Sequence, residues 1–263
     1  MIKKRWLQYA IFGLVFYLIF LVIELPASWF AWGLNRYTQG SLRLDPISGT
    51  LWSGRGRLIL NYPKTVPHDF GEAQWRINPL WLFTGRIQLS LETSSQDRQI
   101  RTTFGITANR FLLKNTEALV PASFIAQLYP PASLISPQGK VRLTASELDV
   151  EPEKMGGTAV LEWQSAGSSL SNVQPLGDYR LEITGAGKTA SLKLTTLRGV
   201  LELTGQGQWL LASGQLQLTG SAHPRERAIE LEPLLKLLGK EQGDGKRIFA
   251  THGQFMPPGL AGF

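Results

Sequence analysis

The sequence predicts a mainly β protein: a curved antiparallel β-meander with a few short helices, preceded by one N-terminal transmembrane helix. Three observations lead there. Apolar and polar residues alternate in one short segment after another. Glycines fall between many of those segments. Residues 6–23 form a single uncharged apolar run at the start of the chain.

The alternation is plainest in Arg86-Ile87-Gln88-Leu89-Ser90-Leu91-Glu92. It recurs over residues 140–144, 179–184, 191–195 and 215–219, and more briefly over 103–107 and 201–204. Period two with one apolar face marks half-buried, mostly antiparallel strands. Gly177, Gly185, Gly187, Gly199, Gly205, Gly207, Gly214 and Gly220 then read as hairpin punctuation. Helical signals are few. Residues 79–83 suit one turn. Residues 121–129 suit a short helix with Pro121 at its first position and Pro130-Pro131 stopping it. Residues 229–238 suit another, closed by Gly239.

The N-terminal run is eighteen residues without a charge. As a helix it spans about 27 Å, roughly the hydrocarbon thickness of a bilayer. Lys3, Lys4 and Arg5 precede it, so the N-terminus is expected in the cytoplasm and the rest is exported. The run exceeds the usual signal-peptide core, and no small-x-small site follows it, so an uncleaved anchor is expected. Trp29 and Trp32 suit the outer headgroup layer. The expected organisation is a cytoplasmic tail at 1–5, a transmembrane helix at 6–25, an interfacial linker at 26–40, an exported β-domain at 41–252 and a flexible tail at 253–263.

Composition excludes several functions. With no cysteine, there is no disulfide, thiol chemistry or thiolate metal site. The net charge is +7; the three basic residues before the run and Glu24 after it leave +5 for the exported part. That charge favours anionic headgroups or acidic partners. Nucleic acid is a poor partner, because the basic residues are scattered singly.

The stretch ISGTLWSGRGRLIL, residues 47–60, could be a phosphate loop or a bend in a sheet. A dinucleotide loop leads from a strand into a helix. Here Gly54-Arg55-Gly56 is followed by the strand-like 57–61. The glycines therefore read as a bulge or tight turn between 49–53 and 57–61. On this reading Trp52 packs on the apolar face, Gly49 opens the corner, and Gly54 and Gly56 set the bend. Arg55 and Arg57 alternate onto the wet side and are candidates for contact with a partner or headgroups.

Other candidate chemistry is weak. Gly185-Ala186-Gly187-Lys188-Thr189 ends like a phosphate loop, but Glu182 stands where its first glycine belongs and a strand follows. It reads as a hairpin. His68, His223 and His252 lack partners at ligand spacing. Glu147, Asp149, Glu151 and Glu153 fall on one strand face or in the turn started at Pro152, and read as a solvated edge rather than a calcium site. There is no G-x-S-x-G. No catalytic residue, cofactor or metal is expected.

The order of features resembles the general secretion pathway protein N family of bacterial type II secretion systems. The residues that carry it are the basic start and single anchor, Leu25-Pro26-Ala27, and Ile47-Ser48-Gly49-Thr50-Leu51-Trp52-Ser53-Gly54. Trp75-Arg76-Ile77-Asn78-Pro79-Leu80-Trp81 leading into Gly85-Arg86 follows, then 175–179 and 199–203. Gly49, Trp52, Gly54, Gly56, Trp75, Pro79 and Trp81 are its structural motif residues. The resemblance implies a non-catalytic, single-pass inner-membrane protein with its bulk in the periplasm. Its implied partners are other secretion components (inner-membrane platform or secretin) and the inner membrane. The style also resembles AsmA-like envelope proteins. That implies an alternative: a lipid-handling protein whose apolar strand face is an open groove.

Overall fold

The computed structural model describes residues 2–61, 67–95, 98–107, 109–124, 134–239, 241–243 and 245–254. Two helices lead: α1, Ile2–Ile23, and α2, Ser28–Tyr37. Strands β1 (Leu42–Gly49), β2 (Ser53–Leu60) and β3 (His68–Ile77) follow. A 3-10 turn, η1, spans Pro79–Thr84. Then come β4 (Ile87–Ser94), β5 (Gln99–Ile106), β6 (Phe111–Pro121), β7 (Pro137–Glu151) and β8 (Lys154–Ser168). The chain continues with β9 (Gly177–Gly187), β10 (Thr189–Gly199), β11 (Leu201–Leu210) and β12 (Gln215–Pro224). Helix α3 (Ala228–Leu238) and β13 (Arg247–Gln254) complete it.

The thirteen strands of the described residues lie in one open antiparallel sheet, and each pairs with its neighbours in the chain. The expected meander is therefore what the chain forms, and its register follows from the alternation. Starting at Ile47, direct cross-strand partners step through Gly56, Ala73, Thr93, Ile100, Ala118, Leu143, Leu161, Leu181, Leu194, Gly205 and Gly220 to Phe249. Thr93 alone in that row carries a polar side chain. A one-residue slip anywhere would turn this row outward, so the inner face fixes the register.

The opposite face carries charges in complementary pairs. Arg101 meets Glu92 at 2.6 Å, Arg142 meets Glu117 at 3.3 Å, and Arg180 meets Glu162 at 2.7 Å. Arg225 meets Glu202 at 3.2 Å, holding that carboxyl below its usual range. Such exposed pairs are screened by solvent and stabilise the fold little. Their larger effect is to set opposite charges side by side on the outer face.

Helices and loops cover parts of the inner face. Phe30, Ala31 and Leu34 of α2 pack beside Leu44, Leu58 and Trp75; Val120 and Val141 join the same cluster. Strands so far apart in the order share one core because the sheet curls. Phe124 meets Phe70 edge-on at 5.4 Å between centroids. Leu231, Leu234 and Leu235 of α3 pack on Leu201, Ala222, Val173 and Leu176. Arg247 of β13, 7% exposed, clasps this helix through Glu232 at 2.9 Å and the Gly239 carbonyl at 3.0 Å. A third cluster joins Val150, Met155, Ala190, Leu192, Trp209 and Leu211.

Tyr179 gives a pH test of this packing. Its hydroxyl donates to the Leu201 carbonyl at 2.9 Å, in a buried setting. Burial pushes the phenol well above its ordinary value, and the nearby Asp178 adds to the shift. A raised phenol holds its proton in the folded state, so this stability is intact below about pH 10 and falls as pH rises beyond it. Tyr179→Phe should lower stability at neutral pH by about 1–3 kcal/mol and flatten the alkaline decline. Thermal unfolding from neutral to alkaline pH checks both.

Four sequence expectations need correction. Residues 26–40 are no plain linker, because α2 occupies most of them and packs a half-buried face of Phe30, Ala31 and Leu34 on the sheet. Pro121 ends β6 rather than starting a helix; only 122–124 are helical, and 125–129 lie outside the described residues. The 253–263 tail begins inside β13, since Gly253 and Gln254 pair with Leu216 and Gln215; residues 255–263 lie outside the described ones. The acidic series is not a sheet edge. Glu147, Asp149 and Glu151 lie towards the end of β7, the middle strand, where Glu147 meets Lys114 at 3.6 Å and Asp149 meets Arg110; Glu153 lies in the turn that follows.

Candidate functional site

The long motif of residues 47–60 builds the corner where helices and sheet meet. Gly49 closes β1 with φ +101°, and a Cβ there would lie 2.5 Å from the Ser53 carbonyl oxygen. Glycine answers both demands. The turn itself is residues 50–52. The Thr50 amide donates to the Ser53 carbonyl at 2.8 Å, and the Ser53 amide donates to Thr50 Oγ1 at 3.2 Å.

This turn holds the end of α1. The Leu51 amide donates to the Leu25 carbonyl at 2.7 Å, and the Ala27 amide donates to the Gly49 carbonyl at 3.1 Å. Trp52 Nε1 donates to the Val22 carbonyl at 2.7 Å. A helix leaves its last carbonyls without partners inside the helix, and Trp52 satisfies one of them. The Trp52 carbonyl in turn accepts from the Ile77 amide at 2.6 Å, linking the corner to the end of β3.

Two sequence readings change here. Trp52 does not pack on the apolar face; it is half-buried, with its indole against the last turn of α1. Gly54 and Gly56 do not set the bend, because both lie inside β2. Gly54 is needed for close approach instead. A Cβ on it would stand 2.3 Å from Cζ2 of Trp75. Gly56 faces the Pro46 carbonyl in the same way, at 2.8 Å.

Trp75 is the aromatic centre of the corner. It is 3% exposed, stacks on Phe30 of α2 at 4.6 Å, and donates from Nε1 to the Leu51 carbonyl at 3.2 Å. It thereby joins β3, α2 and the 50–52 turn. The sequence placed it in a motif without separating its role from that of Trp52. The signal was available: Trp75 shares a strand face with Ala73 and Ile77, whereas Trp52 follows Gly49-Thr50-Leu51 at the end of a turn.

The other motif residues lie outward. Arg55 Nε reaches Ser48 Oγ at 3.4 Å, and Arg57 pairs with Asp69 at 3.7 Å. Ser48, Ser53, Arg55 and Gln74 line an open depression of about 430 Å³. Pro79 starts η1, and Trp81 within it is exposed beneath the Arg86 guanidinium, 6.0 Å from the ring centroid.

The false leads resolve into structure. Gly187 and Lys188 form the β9–β10 turn, and Lys188 lies 3.9 Å from Glu153. Among the described residues, no group of three or more His, Cys, Asp or Glu could hold a metal ion.

Fold and corner define a single-sheet β-meander protein whose N-terminal helices are fastened to the first turn of the sheet. The family model described as Type II secretion system (T2SS), protein N, matches residues 40–249. That span takes in nearly the whole sheet, and the chain belongs to this family. No curated protein and no solved structure matches it. Among the described residues, no helix is long and apolar enough to cross a membrane. The described side chains of α1 are Tyr9 and those of residues 11–23.

Proposed function

We propose that this protein is a non-catalytic inner-membrane component of the type II secretion machinery, with its sheet in the periplasm. There it would assist the export of folded proteins through the outer membrane. The family match over residues 40–249 carries this reading. The sequence of residues 6–23 supports the anchor, as does the exposure of every described apolar side chain in α1, Phe12, Phe16 and Phe20 among them. An unpartnered apolar cylinder of that kind belongs in lipid. Its partners on this reading are the inner-membrane platform or the secretin.

The test is export itself. Cells lacking the protein should retain secretion substrates in the periplasm, and the full-length chain should restore export. Arg55 and Arg57 give a sharper version. Both are exposed on the outer face, so Arg55→Ala with Arg57→Ala should change stability by no more than about 0.5 kcal/mol. Reduced export with an unchanged melting temperature marks them as contacts. Unchanged export removes them from the interface.

A second reading rests on the inner face. Leu143, Leu161, Leu181 and Leu194 in its central row are only half-buried, between the parts covered by α2 and α3. An apolar strip of that kind fits acyl chains, as in a lipid-handling protein. Mass spectrometry of organic extracts of the purified protein tests it: a co-purified lipid absent from extracts of a leucine-to-glutamate variant supports the groove.

A further inference from the structure

We propose that η1 is a membrane-inserting prong, so that the corner end of the sheet rests on the same bilayer surface from which α1 emerges. The proposal rests on the reading of α1 as the anchor. Residues 78–87 are all exposed. They include Leu80 at 71% and Phe83 at 90%, with Trp81 and Leu82 between them. Four consecutive large apolar side chains facing outward need a partner. Arg86 is the only charged residue in this run.

The prong has a fixed shape. Asn78 Oδ1 accepts from the Leu80 amide at 3.1 Å, Pro79 occupies the first position, and Gly85 closes the turn with φ +68°. The backbone thus satisfies itself and holds the side chains outward without help from the core.

Position identifies the occupant as lipid rather than protein. Trp52 bonds to the end of α1 through its indole and to the end of β3 through its carbonyl. Pro79 follows two residues after that second bond. The 50–52 turn and η1 are therefore neighbouring turns at one end of the sheet, about 10 Å apart at two strand spacings. Trp29 and Trp32 at the start of α2 are exposed at this end too. Indole rings with an arginine beside them match the headgroup layer, and Leu80, Leu82 and Phe83 match the acyl boundary beneath it.

The natural chain has no cysteine, so single labels can be placed in the full-length protein. Val15→Cys, Phe83→Cys and Ile229→Cys variants would carry nitrobenzoxadiazole. They would be reconstituted in phosphatidylethanolamine–phosphatidylglycerol vesicles with or without acyl-chain spin-labelled lipid. Ile229 is the control: it is 91% exposed on α3, which follows β12 at the other end of the sheet. Quenching at 15 and 83, but not at 229, is the expected result. Quenching at 15 with position 83 as bright as 229 overturns the prong and leaves the anchor standing. No quenching at 15 overturns the anchor instead, and the prong is then decided by position 83 against 229 alone. Phe83 makes little contact with the core, so its replacement leaves the fold intact.

Discussion

Trp75→Ala is expected to lower stability by about 3–5 kcal/mol, the range for removing a large buried aromatic side chain. The ring is 3% exposed and fills the space between Gly54, Phe30 and the 50–52 turn. Its loss leaves a cavity, an unstacked Phe30 and a Leu51 carbonyl without its indole donor. Trp52→Ala should cost much less, about 0.5–1.5 kcal/mol, because that half-buried ring chiefly supplies one hydrogen bond to α1. Gly54 sharpens the test. A methyl there overlaps the Trp75 ring, so Gly54→Ala should be strongly destabilising alone and less so beside Trp75→Ala. The Ser48 carbonyl, 2.6 Å from the same Cβ, keeps the relief partial. Thermal unfolding of the four proteins in detergent gives the cycle. Additive losses would mean that Gly54 answers to its backbone rather than to the ring. A Trp75→Ala protein that melts like wild type but fails in export would make Trp75 a contact residue.

Much of the sheet was legible because its register is written in the alternation. Residues 86–92, 179–184, 191–195 and 215–219 each place apolar side chains on one face, and each lies within or nearly within one strand. The Gly239 stop after α3 was equally plain. The corner was less legible. Trp52 and Trp75 look alike in a linear motif, and only the third dimension puts one on a helix end and the other in the core. Helix α2 was hidden because residues 26–40 follow an apolar run whose character masks the amphipathic pattern of Phe30, Ala31 and Leu34. Pro121 misled because proline is favoured at the first position of a helix, whereas here it is the last residue of β6. The acidic series misled for a different reason. Alternating carboxylates on a strand look solvated in sequence, but their cationic partners are Lys114 of β6 and Arg110 just before it, and such pairing is invisible along one segment.

Leu14→Asp tests the proposed anchor most directly. Leu14 is 58% exposed near the middle of α1. An aspartate there should oppose insertion by about 2.5–3.5 kcal/mol on the scale of helix-centre residues, whereas Leu14→Val should be nearly neutral. That is a change of roughly a hundredfold in an insertion equilibrium. The expected outcome is loss of the variant from the carbonate-washed membrane fraction, with the valine control retained. Topology adds a second readout. With Lys3, Lys4 and Arg5 held inside, alkaline phosphatase fused after Leu60 should be active, and the Leu14→Asp change should reduce that activity. The substitution lies outside the sheet and makes no contact with the corner, so misfolding of the β-domain does not account for the loss. If the aspartate variant stays in the membrane fraction and the fusion is inactive in both proteins, α1 does not span. The attachment of this sheet to the membrane would then have to come from η1, Trp29 and Trp32 alone.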